Sequence, residues 1–308
     1  MGGRSQLTFW HGTPEFNDQA SFHSLGQYYM LFQRKADYPG PYDDSAIPML
    51  DYRGRIGVQH NPIAIAQYGL GNYNLWKRTG DETRLHKSLI VADWLVEHLE
   101  DNPWGVPVWN HHFDWEYRDV LKAPWYSGLA QGQGISMLVR AHEESGHQRY
   151  LDAATSAFQS FLLPVDQGGV TDIDPDGHLW FEESIVDPPT HILNGFIWAL
   201  WGVHDFRIHT ESKAAADLFD NGVTSLKARL GHYDIGYWSL YEQSGTRMKM
   251  MASPFYHSLH IVQLRVMHAV TGEQLFRQYA DRWDEYRGSW FKRKRALTYK
   301  AIFKLLYY

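Results

Sequence analysis

Cysteine is absent from this chain of 308 residues, so the chain can form no disulfide, hold no thiolate-bound metal and use no catalytic thiol. Basic residues are fewer than acidic ones, 29 against 35, which gives a net charge of −6. This balance argues against nucleic acid as the main partner, because phosphate binding favours a basic domain. The sequence also lacks an apolar run of transmembrane length and a signal-peptide pattern at the N-terminus. We therefore expect a cytoplasmic protein.

Aromatic residues are abundant: 13 Trp, 19 Tyr and 15 Phe make up 15% of the chain. Some of these rings must fill a core. Trp and Tyr also stack well on sugar rings, because each has an apolar face and a polar edge. The composition is therefore compatible with a carbohydrate ligand.

Internal repetition is the clearest structural signal in the sequence. Four segments each contain an amphipathic helix, a short polar break and a second helix. The breaks, at Gly80, Gly146, Thr210 and Gly272, recur every 62 to 66 residues and carry residues that end one helix and cap the next. Stacked helical hairpins of this kind usually curl into a ring. The sequence therefore predicts a mainly α fold, an incomplete (α/α) toroid.

The connectors between the hairpins, residues 103–124, 164–190 and 232–255, are long. Each contains a short alternating run flanked by Gly, Asp and Pro, which is typical of β-hairpins. Long connectors in a compact domain are usually functional. All three join the end of one helical hairpin to the start of the next, so we expect them to form one active-site rim.

Three regions are predicted. Residues 1–55 form a partly extended N-terminal arm, residues 56–288 form the toroid, and residues 289–308 form a basic amphipathic tail. The tail suits a helix that packs on the ring and exposes its basic face. Weak contact with an anionic membrane surface is the alternative. We expect the tail to be dispensable for catalysis, because it lies outside the rim.

The segment from Asp172 to Glu183 satisfies the calcium-loop pattern D-x-D-x-D-G-x5-E, with acids at Asp174 and Asp176 and a glycine at Gly177. Calcium loops normally join two helices, whereas these flanks alternate like strands. Pro-Asp-Gly between two strands is also a turn signature. We interpret the segment as a hairpin turn, with calcium as the alternative, and expect no metal site.

Four segments, in order, resemble the catalytic C-terminal domain of the D-glucuronyl C5-epimerases of heparin and heparan sulfate biosynthesis. They are PWYSGLAQGQGISMLVRA from Pro124, FEES with HILNGF from Phe181, HYDIGYWSLY from His232 and YHSLHIVQL from Tyr256. An upstream segment, PIAIAQYGL from Pro62, also matches. The resemblance covers roughly residues 56–288, and the large β-rich domain of the family is missing.

The resemblance implies a C5-epimerase that interconverts D-glucuronate and L-iduronate within an acidic, heparosan-like polysaccharide, without a cofactor and as a homodimer. It implies that Glu183 and Tyr256 flank the sugar ring, and that Tyr241 and Arg247 hold its carboxylate. Two departures stand out. Ser184 occupies the position of a family Tyr, and Arg247 lies further along the chain than the family Arg.

The chemistry requires two proton-transfer groups and fixed donors for the carboxylate, because removal of the C5 proton places a second negative charge there. A free Tyr titrates near 10, so Tyr256 would act as a base only beside a cation, for which Arg247 and a protonated His257 are the candidates. Further residues could bind or stack on the sugar: Trp125, Tyr126, Gln131, Gln133, Asn194, His257 and His260.

Two other classes stay open. The toroid also hosts polysaccharide lyases and glycoside hydrolases. A hydrolase needs a pair of acids across the glycosidic bond, which Glu183 could form with Asp187 or Asp114. A non-catalytic glycan-binding protein would need only the aromatic rim.

Overall fold

Four helical hairpins form the body of the protein in a computed structural model, which describes residues 9–116, 119–245 and 247–307. A single-turn helix, α1 (Gln33–Ala36), precedes them. The pairs are α2 (Pro62–Thr79) with α3 (Glu82–Glu97), α4 (Gly128–Ser145) with α5 (Gln148–Leu162), α6 (Leu193–Thr210) with α7 (Lys213–Arg229), and α8 (Pro254–Thr271) with α9 (Gln274–Gly288). A final helix, α10 (Trp290–Tyr307), follows them.

The first helix of each pair lies inside and the second lies outside. Helix α6 is buried on all sides from Leu193 to Phe206, whereas α7 buries one stripe at Ala215, Phe219 and Leu226. Helix α4 contacts both α2 and α6, and α6 contacts α8. Four inner helices in sequence order surrounded by their partners form the incomplete toroid that the repeats predict.

Two glycines let inner helices α4 and α6 touch. A Cβ atom added at Gly202 would lie 2.2 Å from the carbonyl oxygen of Gly132, and one at Gly132 would lie 2.6 Å from the Cα of Ala199. Since backbone cannot move aside as a side chain can, only glycine fits at this crossing. The two glycines therefore allow the backbones of α4 and α6 to come into direct contact.

The breaks within the hairpins show how each first helix ends. Gly80, Gly146 and Gly272 all adopt left-handed backbone, with φ of 70°, 68° and 73°. The third hairpin places Glu211 in the same conformation, with φ of 55°. A residue with a Cβ atom is strained there, because the Cβ crowds the following carbonyl.

Replacing Glu211 with Gly should therefore raise the free energy of unfolding by about 0.5 kcal/mol. Relief of roughly 1 kcal/mol of strain is partly offset by the greater freedom of glycine in the unfolded chain. Urea denaturation would measure the change. Gly146→Ala is the matched control and should lower stability by about 1 kcal/mol. A loss of stability in Glu211→Gly would show that the left-handed residue is not strained.

Short antiparallel strand pairs lie between the helices, one in the N-terminal segment and three within or at the edge of the first two long connectors. They are β1 (Met49–Asp51) with β2 (Val58–His60), β3 (Glu100–Asp101) with β4 (Pro107–Val108), β5 (Trp115–Glu116) with β6 (Val120–Leu121), and β7 (Thr171–Ile173) with β8 (Leu179–Phe181). The third long connector differs from the prediction, since its described residues form only isolated bridges, Asp234 with Ser239 and Leu240 with Met251. The amide of Ser239 donates to the His257 ring (3.2 Å) instead of continuing a ladder.

The N-terminal segment is anchored in the ring. Tyr28 and Tyr29 are fully buried, and the Tyr29 hydroxyl donates to Asp205 of α6 at 2.6 Å. Asp205 also pairs with the buried Arg140 of α4, at 2.6 and 3.2 Å. Each charge in this network is compensated, which buried ions require. The network ties the first segment of the chain to two inner helices.

Helix α10 packs on the ring. It buries Ala296 and Phe303, and the Lys300 ammonium donates to the Met251 carbonyl at 3.2 Å. Among the described helices, none combines the length and apolar character that a membrane crossing requires.

Candidate active site

A cleft of about 580 Å³ opens where the three long connectors meet the inner helices. Each connector lines it: Phe113, Trp115 and Glu116 from the first, Glu183 and Ser184 from the second, and Tyr241, Met250, Met251 and Ser253 from the third. The expectation that the connectors share one rim is thus met by the geometry.

Glu183 follows strand β8 and faces the cleft. Its Oε2 accepts a hydrogen bond from Asn194 Nδ2 at 3.1 Å. A Cβ atom at Gly195 would lie 2.2 Å from the same oxygen, so the glycine makes room for the carboxyl group. Burial, and secondarily the charge of Glu182, raise the pKa of Glu183 to about 8, against the opposing effects of the Asn194 and Tyr241 hydrogen bonds.

Glu182 has a different task, because successive residues of an extended chain point to opposite sides. It is buried and accepts hydrogen bonds from the backbone amide (3.1 Å) and hydroxyl (3.0 Å) of Thr190, and from the amide of His191 (3.2 Å). These bonds hold the loop before α6. Glu182 is therefore structural, and Glu183 is the acid available to a ligand.

Tyr256 and Tyr241 complete a cluster with Glu183. Tyr256 lies in the first turn of α8, which Ser253 caps. Its ring lies 4.7 Å from the ring of Tyr241, and Tyr241 interacts with both Tyr256 and Glu183, lowering the pKa of each. Burial and the charge of Glu183 raise the pKa of Tyr256 well above its usual range. Tyr256 is therefore a neutral phenol in the free protein.

Neither Arg247 nor His257 provides the positive charge that was expected beside Tyr256. Arg247 is exposed and is not among the residues that line the cleft. His257 is buried, and burial lowers its pKa to about 4, so it is neutral near pH 7. Neither predicted neighbour supplies the charge that a phenolate base would need.

His257 and His260 are turned away from the cleft toward α9. His257 contacts the Ser239 hydroxyl (2.8 Å) and the Trp283 carbonyl (2.9 Å), and His260 contacts the same hydroxyl (3.0 Å). Burial lowers the pKa of both rings. These histidines fix the third connector to α8.

Gln131 and Gln133 are buried and bonded to neighbouring elements of the ring. Gln131 accepts from the Trp109 amide at 2.9 Å and donates toward Ser160 at 3.2 Å. Gln133 accepts from Gln67 of α2 at 3.0 Å. Neither glutamine lines the cleft, so the predicted contact of Gln131 and Gln133 with sugar hydroxyls does not fit this geometry.

Of the remaining predicted site residues, some line the cleft and others do not. Trp125 and Asn194 line the cleft, and the Trp125 ring is stacked on His111 with centroids 3.8 Å apart. Tyr126 is half-buried and lies outside the cleft. The structure thus brings together Glu183, Tyr241, Tyr256, Trp125 and Asn194.

One wall of the cleft, formed by the N-terminal segment and α10, was not predicted from the sequence. Trp10, His11 and Lys35 line the cleft from the N-terminal segment, and Lys300 lines it from α10. Because Lys300 reaches the cleft, the reason for expecting the tail to be dispensable is wrong.

The calcium-like segment is a β-hairpin, as its flanks predicted. Strands β7 and β8 pair with Asp172 opposite Trp180, and Gly177 has φ of 84° in the turn. Asp174 accepts from the turn amides of Asp176 and His178, both at 2.9 Å, and pairs with Arg229 at 3.1 Å. The Asp174 carboxylate is thus already satisfied by the turn amides and by Arg229.

One cluster of the described residues has the donor types for a metal ion. Ligand atoms of Asp172, Glu182 and His191 lie within 4.8 Å of one another. The His191 Nε2 already lies 2.8 Å from Asp172 and 3.6 Å from Glu182, and Glu182 is further bonded to the loop. The hydrogen-bonding groups of the three side chains are thus satisfied without a metal ion.

Treatment with a chelator should therefore leave the melting temperature and activity unchanged. Thermal melts with EDTA, with added calcium and with added zinc would measure this. A metal-dependent rise in melting temperature that is abolished by Asp172→Asn would contradict the interpretation.

Comparison with solved structures defines the class of the fold. The unsaturated glucuronyl hydrolase of Bacillus sp. GL1, described as responsible for the degradation of glycosaminoglycan, aligns with a TM-score of 0.50 at 13% identity. The alignment covers 75% of this chain and 62% of the hydrolase. At this identity the likeness shows the fold alone, an (α/α) toroid.

Sequence comparison gives the family. The D-glucuronyl C5-epimerase C-terminus family matches residues 105–285, and the chain belongs to this family. A D-glucuronyl C5-epimerase of Caenorhabditis elegans is 31% identical over 221 residues, 67% of this chain and 35% of that protein. An uncharacterized protein of Methanocaldococcus jannaschii is 29% identical over 214 residues, 66% of this chain and 68% of that protein. The chain thus spans about a third of the length of the C. elegans relative.

Proposed function

We propose that this protein is a C5-epimerase that inverts glucuronate residues within an acidic polysaccharide of the heparosan type. The observation that carries the proposal is the cluster of Glu183, Tyr241 and Tyr256, which line one aromatic cleft and interact with one another. Family membership supports this reaction rather than another on the same fold.

Glu183 is the proposed base. A general base works best when its pKa lies near the operating pH, and burial places the pKa of Glu183 at about 8. A minority of molecules is then ionised at pH 7, and the ionised form is a strong acceptor because its surroundings solvate it less well than water does. In this step the electron pair of the C5–H bond passes into the carboxyl group of the sugar, and the proton passes to Glu183.

Tyr256 is the proposed acid. Its raised pKa keeps the hydroxyl protonated, so it can donate a proton to C5 from the other face of the sugar. This replaces the expectation that Tyr256 acts as a base beside a cation. In the reverse direction the two roles exchange.

Tyr241 is placed to reset the site. One turnover leaves a proton on Glu183 and removes one from Tyr256, and Tyr241 lies next to both groups and interacts with each. Transfer through this hydroxyl restores the starting state. Proton transfer of this kind requires no cofactor.

A lyase or hydrolase is the second candidate, since the fold neighbour is a hydrolase that acts on uronates. Asp114 and Asp187, the expected partner acids, are exposed and lie outside the cleft, but Glu116 lines it. Incubation with heparosan separates the reactions. An epimerase forms iduronate, seen by NMR, at constant chain length. A lyase yields shorter chains with an unsaturated uronate that absorbs ultraviolet light, and a hydrolase yields new reducing ends; either result would replace the proposal.

A further inference from the structure

Lys35, on α1, places an ammonium group at the wall of the cleft. It lines the same cleft as Glu183 and Tyr256, although it lies in the N-terminal segment, outside the range of the family match. Its Nζ lies 4.4 Å from the centroid of the Phe32 ring and 5.9 Å from that of Trp10. The charge is thus held among aromatic rings, which attract cations.

The orientation of Lys35 is fixed by a chain of amides. Its ammonium donates to Oε1 of Gln67 on α2, and Gln67 in turn donates to Gln133 on α4 at 3.0 Å. An ammonium has three protons to donate. Among hydrogen bonds between described residues, this is the only one that the Lys35 ammonium makes, so the group retains donors for a ligand.

The charge of Lys35 has no acidic partner among the described residues. Burial alone lowers its pKa, to about 7. A buried cation without a counter-ion is unfavourable, and a ligand carboxylate would supply the missing charge. The other lysine that lines the cleft, Lys300, already donates to the Met251 carbonyl at 3.2 Å.

We propose that Lys35 binds the carboxylate of the uronate whose C5 proton is removed. This inference rests on the proposed function and assigns to Lys35 the role that the resemblance gave to Arg247. The carboxylate gains a second negative charge during the reaction, so a fixed ammonium there stabilises the intermediate more than the bound substrate.

Two ligands test the assignment: a heparosan oligosaccharide and its carboxyl-reduced counterpart, in which glucose replaces glucuronate. Binding is measured at pH 6, where Lys35 is charged, by the fluorescence of the cleft tryptophans and by calorimetry. Wild type should prefer the carboxylated ligand. Lys35→Met should bind it at least about tenfold more weakly and bind the reduced ligand as wild type does. Lys35→Arg, which keeps the charge, should retain most of the preference.

Lys87→Met, exposed on α3, is the matched control, and Lys300→Met tests the other lysine that lines the cleft. Melting temperature checks the fold, and Lys35→Met should be at least as stable as wild type because it removes an unpaired buried charge. Equal weakening for both ligands, or loss of the preference in Lys300→Met and not in Lys35→Met, would overturn the assignment. Hydrogen exchange at C5 by wild type tests the function separately, so failure of one can be told from failure of the other.

Discussion

The Tyr256→Phe variant should fold as wild type does and lose turnover by about 100-fold or more. Phenylalanine keeps the ring and its contacts with Tyr241 (4.7 Å) and His11 (5.5 Å), and it removes only the hydroxyl group. If that hydroxyl donates the proton to C5, its loss removes the general acid, an effect of 10²- to 10⁴-fold. The rate of iduronate formation and the melting temperature are the two measurements.

Tyr279→Phe is the matched control for this variant. Tyr279 is half-buried on the outer helix α9, away from the cleft, so its hydroxyl should be dispensable. Wild-type turnover in Tyr256→Phe would refute the assigned role of Tyr256 even if the protein proves to be an epimerase.

Turnover by the Glu183→Gln variant should fall by a similar or larger factor than in Tyr256→Phe, because an amide cannot accept the C5 proton.

The stability of the Glu183→Gln variant should also depend on pH differently from that of wild type. Burial raises the pKa of Glu183 to about 8, so the folded protein keeps a proton that the unfolded chain releases above its ordinary value of 4.5. Wild type therefore loses stability as pH rises from about 4.5 to 8, and the Gln variant lacks this loss. The advantage of the variant in melting temperature should grow over that range.

Glu182→Gln provides the contrast. Glu182 accepts hydrogen bonds from Thr190 and His191 in the core, so its replacement should lower the melting temperature near neutral pH. If Glu183→Gln retains activity, or if its melting temperature follows wild type at every pH, the carboxyl group of Glu183 is not the buried base described here.

The sequence was sufficient to predict the helical hairpins because their signals are local. Periodic apolar residues define each helix, and left-handed residues such as Gly146 end it. The order of the four family segments likewise placed Glu183, Tyr241 and Tyr256 on one rim. The helix signals depend on residues close together in the chain, whereas the site residues were placed by the family resemblance.

The side chains that line the cleft were harder to predict, because packing decides which face of a helix is turned inward. His257 follows Tyr256 directly, yet it turns toward Trp283 of α9 and stacks on Trp238 at 3.8 Å. Gln131 likewise contacts Ser160 of α5 rather than the cleft. Some polar residues of a family segment thus line the cleft, and others hold the neighbouring helices and connectors together.

Contacts between the ends of the chain and the ring were beyond prediction. Lys35 and Lys300 reach the cleft only because the N-terminal segment is anchored through Tyr29 and because α10 packs back on the third connector. Nothing near either lysine in the sequence encodes these long-range contacts.

Deuterium incorporation at C5 is the most direct test of the proposed reaction. Wild-type protein would be incubated with heparosan in deuterated water, and the product examined by NMR and by chain-length analysis. Carboxyl and phenol protons exchange with solvent between turnovers, so an epimerase must place deuterium at C5 while the chain length stays constant. We expect exchange without cleavage, reduced about 100-fold or more in Tyr256→Phe and Glu183→Gln. Shortened chains, or unchanged polymer without deuterium at C5, would contradict the account.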